Sequence, residues 1–211
     1  MTLAAKKKNH VTLRLTVDER RAQLVALALA LFSKKSYDDV SMDDLARHAK
    51  ISKGLVYHYF PTKRHLYIAG LREAARQLVA QVGPNAAPLA PRRMRSHEAV
   101  LADVDKGLRS YFDFVEEKGP AFIALMRGGI GSDPQVARIV EETRVKLMSR
   151  ILQQAPRELD RPMVRAALRG WIGFVEAASI RWLEKRDTSR ESVLRLSIDV
   201  FFAAIAGAAT K

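Results

Sequence analysis

Apolar residues recur at three- and four-residue spacing along most of the chain, and alternating strand patterns are scarce, so the pattern predicts an all-α protein. From 18 to 35, Leu24, Leu27, Ala28, Leu31 and Phe32 form the stripe of a scaffold helix. Met42, Leu45 and Ala49 then make one apolar face of a short helix that turns Asp43, Asp44 and Arg47 outward, with Ser41 as its cap. After His48 the pattern breaks, and Ser52 begins a second helix in which Val56 and Phe60 share a stripe at i, i+4. Pro61 stops it. Thr62 caps a third helix, which starts at Lys63, carries Leu66, Tyr67, Ala69, Gly70 and Leu71, and runs to about Val82 before Gly83-Pro84.

Residues 83 to 96, with Pro84, Pro88, Pro91 and the cluster Arg92, Arg93, Arg95, read as an irregular linker whose charges are a solvated loop. Five further helical patterns follow, at about 97–117, 120–129, 134–154, 161–185 and 190–208. Gly119-Pro120 separates the first two, Asp133 and Pro134 suit an N-cap and first helical position, and Thr188 with Glu191 makes a capping-box pattern. No repeat or low-complexity tract is present.

Two short helices joined by a four-residue break, SMDDLARHAKISKGLVYHYF from Ser41 to Phe60, make a helix-turn-helix. With Val56 and Phe60 committed to the core, Lys53, Gly54, Leu55, Tyr57 and His58 are left facing outward after Ser52. One α-helix fits the major groove of B-DNA, and the N-terminal part of a recognition helix meets base edges. The next helix start, with Lys63 in its first turn, offers backbone N–H groups and a charge to a phosphate.

Residues 18 to 72 resemble the DNA-binding domain of the TetR family of bacterial transcriptional regulators. The runs that carry the resemblance are RRAQLVALALALF, SYDDVSMDDLARHA and ISKGLVYHYFPTKRHL. The resemblance implies that Ser41, Tyr57, Tyr59, Thr62 and Lys63 hold phosphates, and that Lys53, Gly54, Leu55 and His58 approach the bases. Three positions depart from the family pattern: Ser36 and Lys50 stand where glycine is usual, and Leu55 where a small hydroxyl residue is common. A non-glycine in a left-handed position costs a few tenths to about 1 kcal/mol. Leu55 has no hydrogen-bonding group, so it meets a thymine methyl or only excludes water.

Charge strengthens this picture. Of the net +13, residues 1–72 hold 14 Lys+Arg against 6 Asp+Glu, a surplus of +8 in the first third of the 211 residues. That is the electrostatic footprint of phosphate binding, although a generally basic proteome produces the same excess. There is no cysteine, so disulfides and thiol sensing are excluded. No signal-peptide pattern follows Lys6, Lys7 and Lys8, and the tail FFAAIAGAA is too short to span a bilayer; the expectation is a cytoplasmic protein without a membrane partner. Residues 1–16 read as a flexible basic arm, either a solubilising tail or a source of extra phosphate or minor-groove contacts through Lys6, Lys7, Lys8 and Arg14. The expected domains are this arm, a helix-turn-helix domain over 17–72, and a larger helical regulatory and dimerisation domain over 73–211.

In the last domain, GWIGFVEAASIRWL (170–183) and VFFAAIAGAA (200–209) are apolar around most of their circumference, more than one core face uses. Gly170, Gly173, Ala177 and Ala178, with Ala203, Ala204 and Ala206, permit close helix approach. By resemblance the two C-terminal helices pair with their symmetry mates in a four-helix bundle, and the expected interface is Gly170, Gly173, Ala177, Phe201 and Ala204. Glu176 and Arg181 interrupt the apolar run and read as solvent-facing stripe residues, with an interface ion pair or ligand contacts as alternatives. A homodimer places two recognition helices on one face of DNA and calls for a palindromic operator.

The family's regulatory domain encloses a small-molecule pocket. Candidate lining residues are Tyr111, Phe112, Phe122, Met126, Leu147, Trp171, Phe174 and Trp182, with Arg127 as a partner for an anionic head. Such a lining suits a fatty acid, an acyl-CoA or another hydrophobic effector. The reading is a ligand-responsive regulator, a repressor released by its effector; a TetR-like activator and a sequence-indifferent architectural DNA binder are the alternatives. No cofactor or metal is expected. His48, His58, His65 and His97 lack HExxH spacing, there is no nucleophile elbow, and GGIG at 128–131 lacks the lysine of a phosphate loop, so an enzyme is not expected.

Overall fold

A computed structural model describes residues 15–32, 34–35, 37–82, 96–119, 123 and 133–209. The basic arm from Lys6 to Arg14, Ser36, the arginine-rich linker and the helix expected at 120–129 lie outside the described residues, Ile123 excepted. The described residues form α-helices and one 3-10 turn, with no strand.

Each helix start has a local cause. Helix α1 (Val17–Phe32) opens on a reciprocal box in which the Glu19 N–H donates to Thr16 Oγ1 and the Thr16 N–H to the Glu19 carboxylate. The Thr16 N–H and hydroxyl, both donating to the Glu19 carboxylate, hold that carboxyl below its ordinary range. Thr16 therefore caps the helix, and α1 ends at Phe32, three residues short of the expected limit. Helix α2 (Met42–Ala49) opens on a second box, Ser41 with Asp44, and ends at Lys50, whose φ of 55° is left-handed. The glycine position that the sequence fills with lysine is thus a strained one. Ser52 caps α3 (Lys53–Tyr59), and Thr62 Oγ1 accepts from the His65 N–H at the start of α4 (Lys63–Val82).

Beyond the linker, Ser96 caps α5 (His97–Glu117), and Asp133 with Pro134 opens α6 (Pro134–Gln154). A 3-10 turn, Arg157–Leu159, leads to α7 (Pro162–Lys185), and α8 (Arg190–Ala209) returns antiparallel to it. The Thr188 and Glu191 box does not form. Ser189 caps α8 instead, accepting from the Ser192 N–H at 3.0 Å, while Glu191 takes a bidentate bond from Arg109 on α5. At the α7 end Arg186 adopts φ 51° and lays its guanidinium 3.9 Å over the Trp182 ring.

Two hydrophobic cores result. The first joins Leu24, Ala28 and Phe32 of α1 to Leu45, Val56, Phe60, Leu66 and Tyr67, and takes in Val136, Ile139 and Val140 from the start of α6. The second is built by α5, α7 and α8 around Phe112, Phe114, Leu168, Trp171, Trp182 and Leu194, with Leu152 from the end of α6. Side chains such as Phe60 and Leu45, essentially without exposure, each contribute about 1.5–3 kcal/mol by leaving water. Helices α4 and α6 serve both cores: Ala75 lies in the first and Leu78 in the second, so α4 runs unbroken through residue 72. No helix among the described residues is long and apolar enough to cross a membrane.

Candidate DNA interface and effector cavity

The α2–α3 unit presents its polar face as the spacing requires. Val56 and Phe60 are buried, while Ser52, Lys53, Gly54, Leu55, Tyr57 and His58 are exposed and Tyr59 is half-buried against the first core. Leu55 and Tyr57, at 37% and 41% exposure, are large apolar groups left in water at the tip of a basic unit. Lys53 Nζ donates to Asp43 Oδ2 on α2 at 2.8 Å, which fixes the start of α3 against its partner helix. A Cβ on Gly54 would meet no heavy atom within 4 Å, and its φ is not left-handed. Among the described residues nothing calls for glycine there.

Lys63 is more engaged than a free phosphate ligand would be. Its ammonium donates to the Tyr37 carbonyl at 2.9 Å and the Asp38 carbonyl at 3.4 Å, and lies 4.3 Å from the Tyr37 ring centroid. It ties the α1–α2 loop to the first turn of α4. Next to it, Arg64 Nε and Nη2 donate to Asp133 Oδ2 and Oδ1 at 2.8 and 3.0 Å. This fork joins the helix-turn-helix unit to the N-cap of α6 and, with the Gln135 N–H, holds the Asp133 carboxyl below its ordinary range.

Helix α6 leads to a cavity of about 380 Å³ enclosed by α4, α5, α6, α7 and α8. Its walls are aliphatic and aromatic: Val104 and Leu108 on α5, Leu147 and Ile151 on α6, Leu168, Trp171, Ile172 and Val175 on α7, Phe201 and Ile205 on α8. Polar groups mark its two ends. His97, Asp103, Gln154 and Arg150 lie toward the solvent side, where Arg150 donates to the Val79 carbonyl; Tyr111 and Glu176 lie at the buried side. Tyr111 Oη is 3.0 Å from Ser179 Oγ, and burial pushes its hydroxyl well above the usual phenol range.

Of the expected lining, Tyr111, Leu147 and Trp171 are on the cavity. Phe112 is not. One step along α5 from Tyr111, it is turned away and packs edge-on against Trp182, which is buried outside the cavity with its indole N–H on the Thr188 carbonyl. Phe174 is also off the lining, half-buried on the flank of α7 that Trp171 and Val175 leave behind. Phe122, Met126 and Arg127 lie outside the described residues. His97, Asp103, Arg150, Gln154 and Glu176 are the polar lining groups that reading for aromatics missed; the stripe Val100, Val104, Leu108, Tyr111 carried the available signal.

Two expectations on the last helices change. Glu176 is not solvent-facing: at 6% exposure it accepts three contacts of 2.7–3.0 Å from Arg144 on α6. Arg181 does face solvent, bonded to Asp187. Phe201 is buried inside the protomer, edge-on to Trp171 at 5.0 Å, and is not a surface residue. Gly170 and Ala177 are exposed, and Gly173 and Ala204 half-buried, on the outward side of the α7–α8 pair, beside exposed Met163 and Leu196. Among the described residues no three of His, Asp and Glu converge to hold a metal ion.

Known proteins share this architecture. Residues 24–69 match the family model for bacterial regulatory proteins of the tetR family, and residues 101–204 the model for the tetracyclin repressor-like C-terminal domain. A crystal structure of a tetR-family transcriptional regulator from Streptomyces coelicolor superposes with a TM-score of 0.77 at 35% identity, covering 93% of this chain and 84% of that one. The HTH-type transcriptional regulator BetI of Cronobacter sakazakii is 29% identical over 193 residues, 90% of this chain and 93% of BetI. The HTH-type transcriptional activator FasR of Mycolicibacterium smegmatis is 32% identical over 128 residues, 61% of this chain but only 55% of FasR. With both family models matched in order and the exposed α3 face in place, this chain belongs to the TetR family of bacterial helix-turn-helix transcriptional regulators.

Proposed function

We propose that the protein is an effector-controlled repressor that binds a palindromic operator as a homodimer and leaves it when an elongated apolar or amphipathic molecule, of the fatty-acid or acyl-CoA kind, fills the cavity. The reading assigns no catalytic step. The observation that carries it is the span of α6: its first turns lie in the core of the DNA-binding unit, and its last turns line the cavity. A ligand that discriminates between two positions of α6 thereby discriminates between two placements of the recognition helix. A hundredfold change in operator occupancy needs about 2.7 kcal/mol of such discrimination.

In this reading residues 17–72 form the DNA-binding domain, continuous through α4 with the regulatory and dimerisation domain. Ser41, Tyr57, Tyr59, Thr62 and Lys63 hold phosphates, while Ser52, Lys53, Gly54, Leu55 and His58 lie against the base edges. The exposed Gly54 supports this, since the fold leaves room for a side chain that the residue lacks. Gly170, Gly173, Ala177 and Ala204 form the dimer seam; their small size and the neighbouring exposed Met163 and Leu196 support a second α7–α8 pair packing there.

Substitutions test the assignment in a binding assay against operator and bulk DNA. Lys63→Ala weakens binding to all sequences and lowers the salt slope by about one unit, whereas Lys53→Ala and Leu55→Ala change which bases are preferred. Because Lys63 also braces the α1–α2 loop, its melting temperature is followed alongside; a salt slope left at the wild-type value removes it from the phosphate set. Equal loss on every sequence from all three variants contradicts the placement of the reading face.

A further inference from the structure

The cavity is an elongated slot whose two ends differ. Its lining runs from Val164 to Glu176 on α7, twelve residues of helix, about 18 Å. At one end His97 is exposed and Gln154, Pro156 and Leu159 are half-buried, which makes this the entrance. At the other, Tyr111, Val175 and Glu176 are buried.

The inner end is where an alkyl chain would place its methyl group, yet this end carries charge. Glu176 Oε1 and Oε2 both lie 3.0 Å from Arg144 Nε, and Oε2 accepts from Nη2 at 2.7 Å. Glu141 reaches Arg144 Nη1 from the outer side at 3.4 Å. A carboxylate offers about four lone-pair sites, and Arg144 brings two N–H groups to it, the Nε–H shared between both oxygens and an Nη2–H on Oε2, which leaves acceptor capacity for a further donor. A methyl terminus pressed against this pair strips its remaining hydration and returns no hydrogen bond, whereas a hydroxyl supplies one.

Resting on the amphiphile reading above, we infer that Glu176 is a specificity-determining residue: the cavity takes a medium-length apolar molecule polar at both ends, with a hydrogen-bond donor at its inner end directed at the Glu176 carboxylate. The Glu176–Arg144 pair sets both the length limit and the polarity of the inner terminus. Because Arg144 sits on α6, a ligand hydroxyl that draws on Glu176 acts on the helix that reaches the DNA-binding core.

The probes are dodecanoic acid and 12-hydroxydodecanoic acid, titrated into the full-length protein. The readouts are calorimetry and the fluorescence of Trp171, which lines the cavity while Trp182 does not. The hydroxy acid binds at least tenfold tighter, about 1.4 kcal/mol. In Arg144→Met/Glu176→Leu, a replacement of a buried ion pair by apolar side chains that proteins commonly tolerate, the order reverses in favour of dodecanoic acid. Glu176→Gln, which keeps an acceptor without its charge, narrows the preference without reversing it. Equal or tighter binding of dodecanoic acid by the wild type overturns the inference while leaving the amphiphile reading intact, and so does a hydroxyl preference that survives in the double variant. Binding of neither acid overturns both.

Discussion

Gly54 is the residue at which the fold and the proposed function pull in opposite directions. It sits in the first turn of α3 with open space where a side chain would be, and glycine in a helix costs up to about 1 kcal/mol relative to alanine. Gly54→Ala is therefore expected to raise the melting temperature slightly and, by holding the helix away from the groove, to weaken operator binding at least tenfold. Unchanged DNA affinity in a stabilised variant removes Gly54 from the interface. Lys50 is the complementary case: the sequence singles it out because a glycine is usual there, and its φ of 55° bears out the strain. Side-chain direction was less legible. Phe112 and Tyr111 are equally aromatic neighbours, but a step of one residue around α5 sends one to Trp182 and the other to the cavity. Glu176 looked like a solvent-facing interruption because its partner, Arg144, lies 32 residues away on another helix.

At the scale of elements, helix existence and limits were legible wherever capping chemistry is local. Ser41, Ser52, Thr62, Ser96 and Asp133 each bond to a backbone N–H two or three residues on, and the helices begin where they stand. Thr188 failed as a cap because Ser189 offers the same chemistry one residue later and Glu191, the other half of the box, is drawn away by Arg109 on α5. The sharing of α6 between two cores has no sequence signature, since Asp133 and Arg64 are 69 residues apart. That bridge makes a pH-dependent prediction. The Asp133 carboxyl is held low by Arg64 and by the Gln135 N–H, so its stabilisation is complete above the unfolded value near 4 and fades as the pH falls through the lowered one. Asp133→Asn keeps a side chain able to cap α6 but loses the ion pair. In thermal unfolding it is less stable than the wild type at pH 7, and the difference begins to shrink below about pH 4 and goes on shrinking as the pH falls through the lowered value. A difference that is the same at pH 7 and pH 3 contradicts a role for the bridge.

At the scale of the whole molecule, two continuous helices join the basic helix-turn-helix unit to an apolar cavity. The reading unit was legible because its pattern, its caps and its charge lie within one stretch of sequence. The cavity was not, because five helices from distant parts of the chain enclose it and an aliphatic wall reads like ordinary core. A four-helix seam between two α7–α8 pairs would place both reading units on one face of DNA, which makes the symmetry of the bound sequence the most direct report on the account. Fragments of sheared genomic DNA from the source organism, captured by the purified protein at physiological salt and sequenced, carry that report. The account predicts a small set of fragments sharing an inverted repeat, retained about a thousandfold over bulk DNA. Unselective recovery, with no shared repeat, would contradict it.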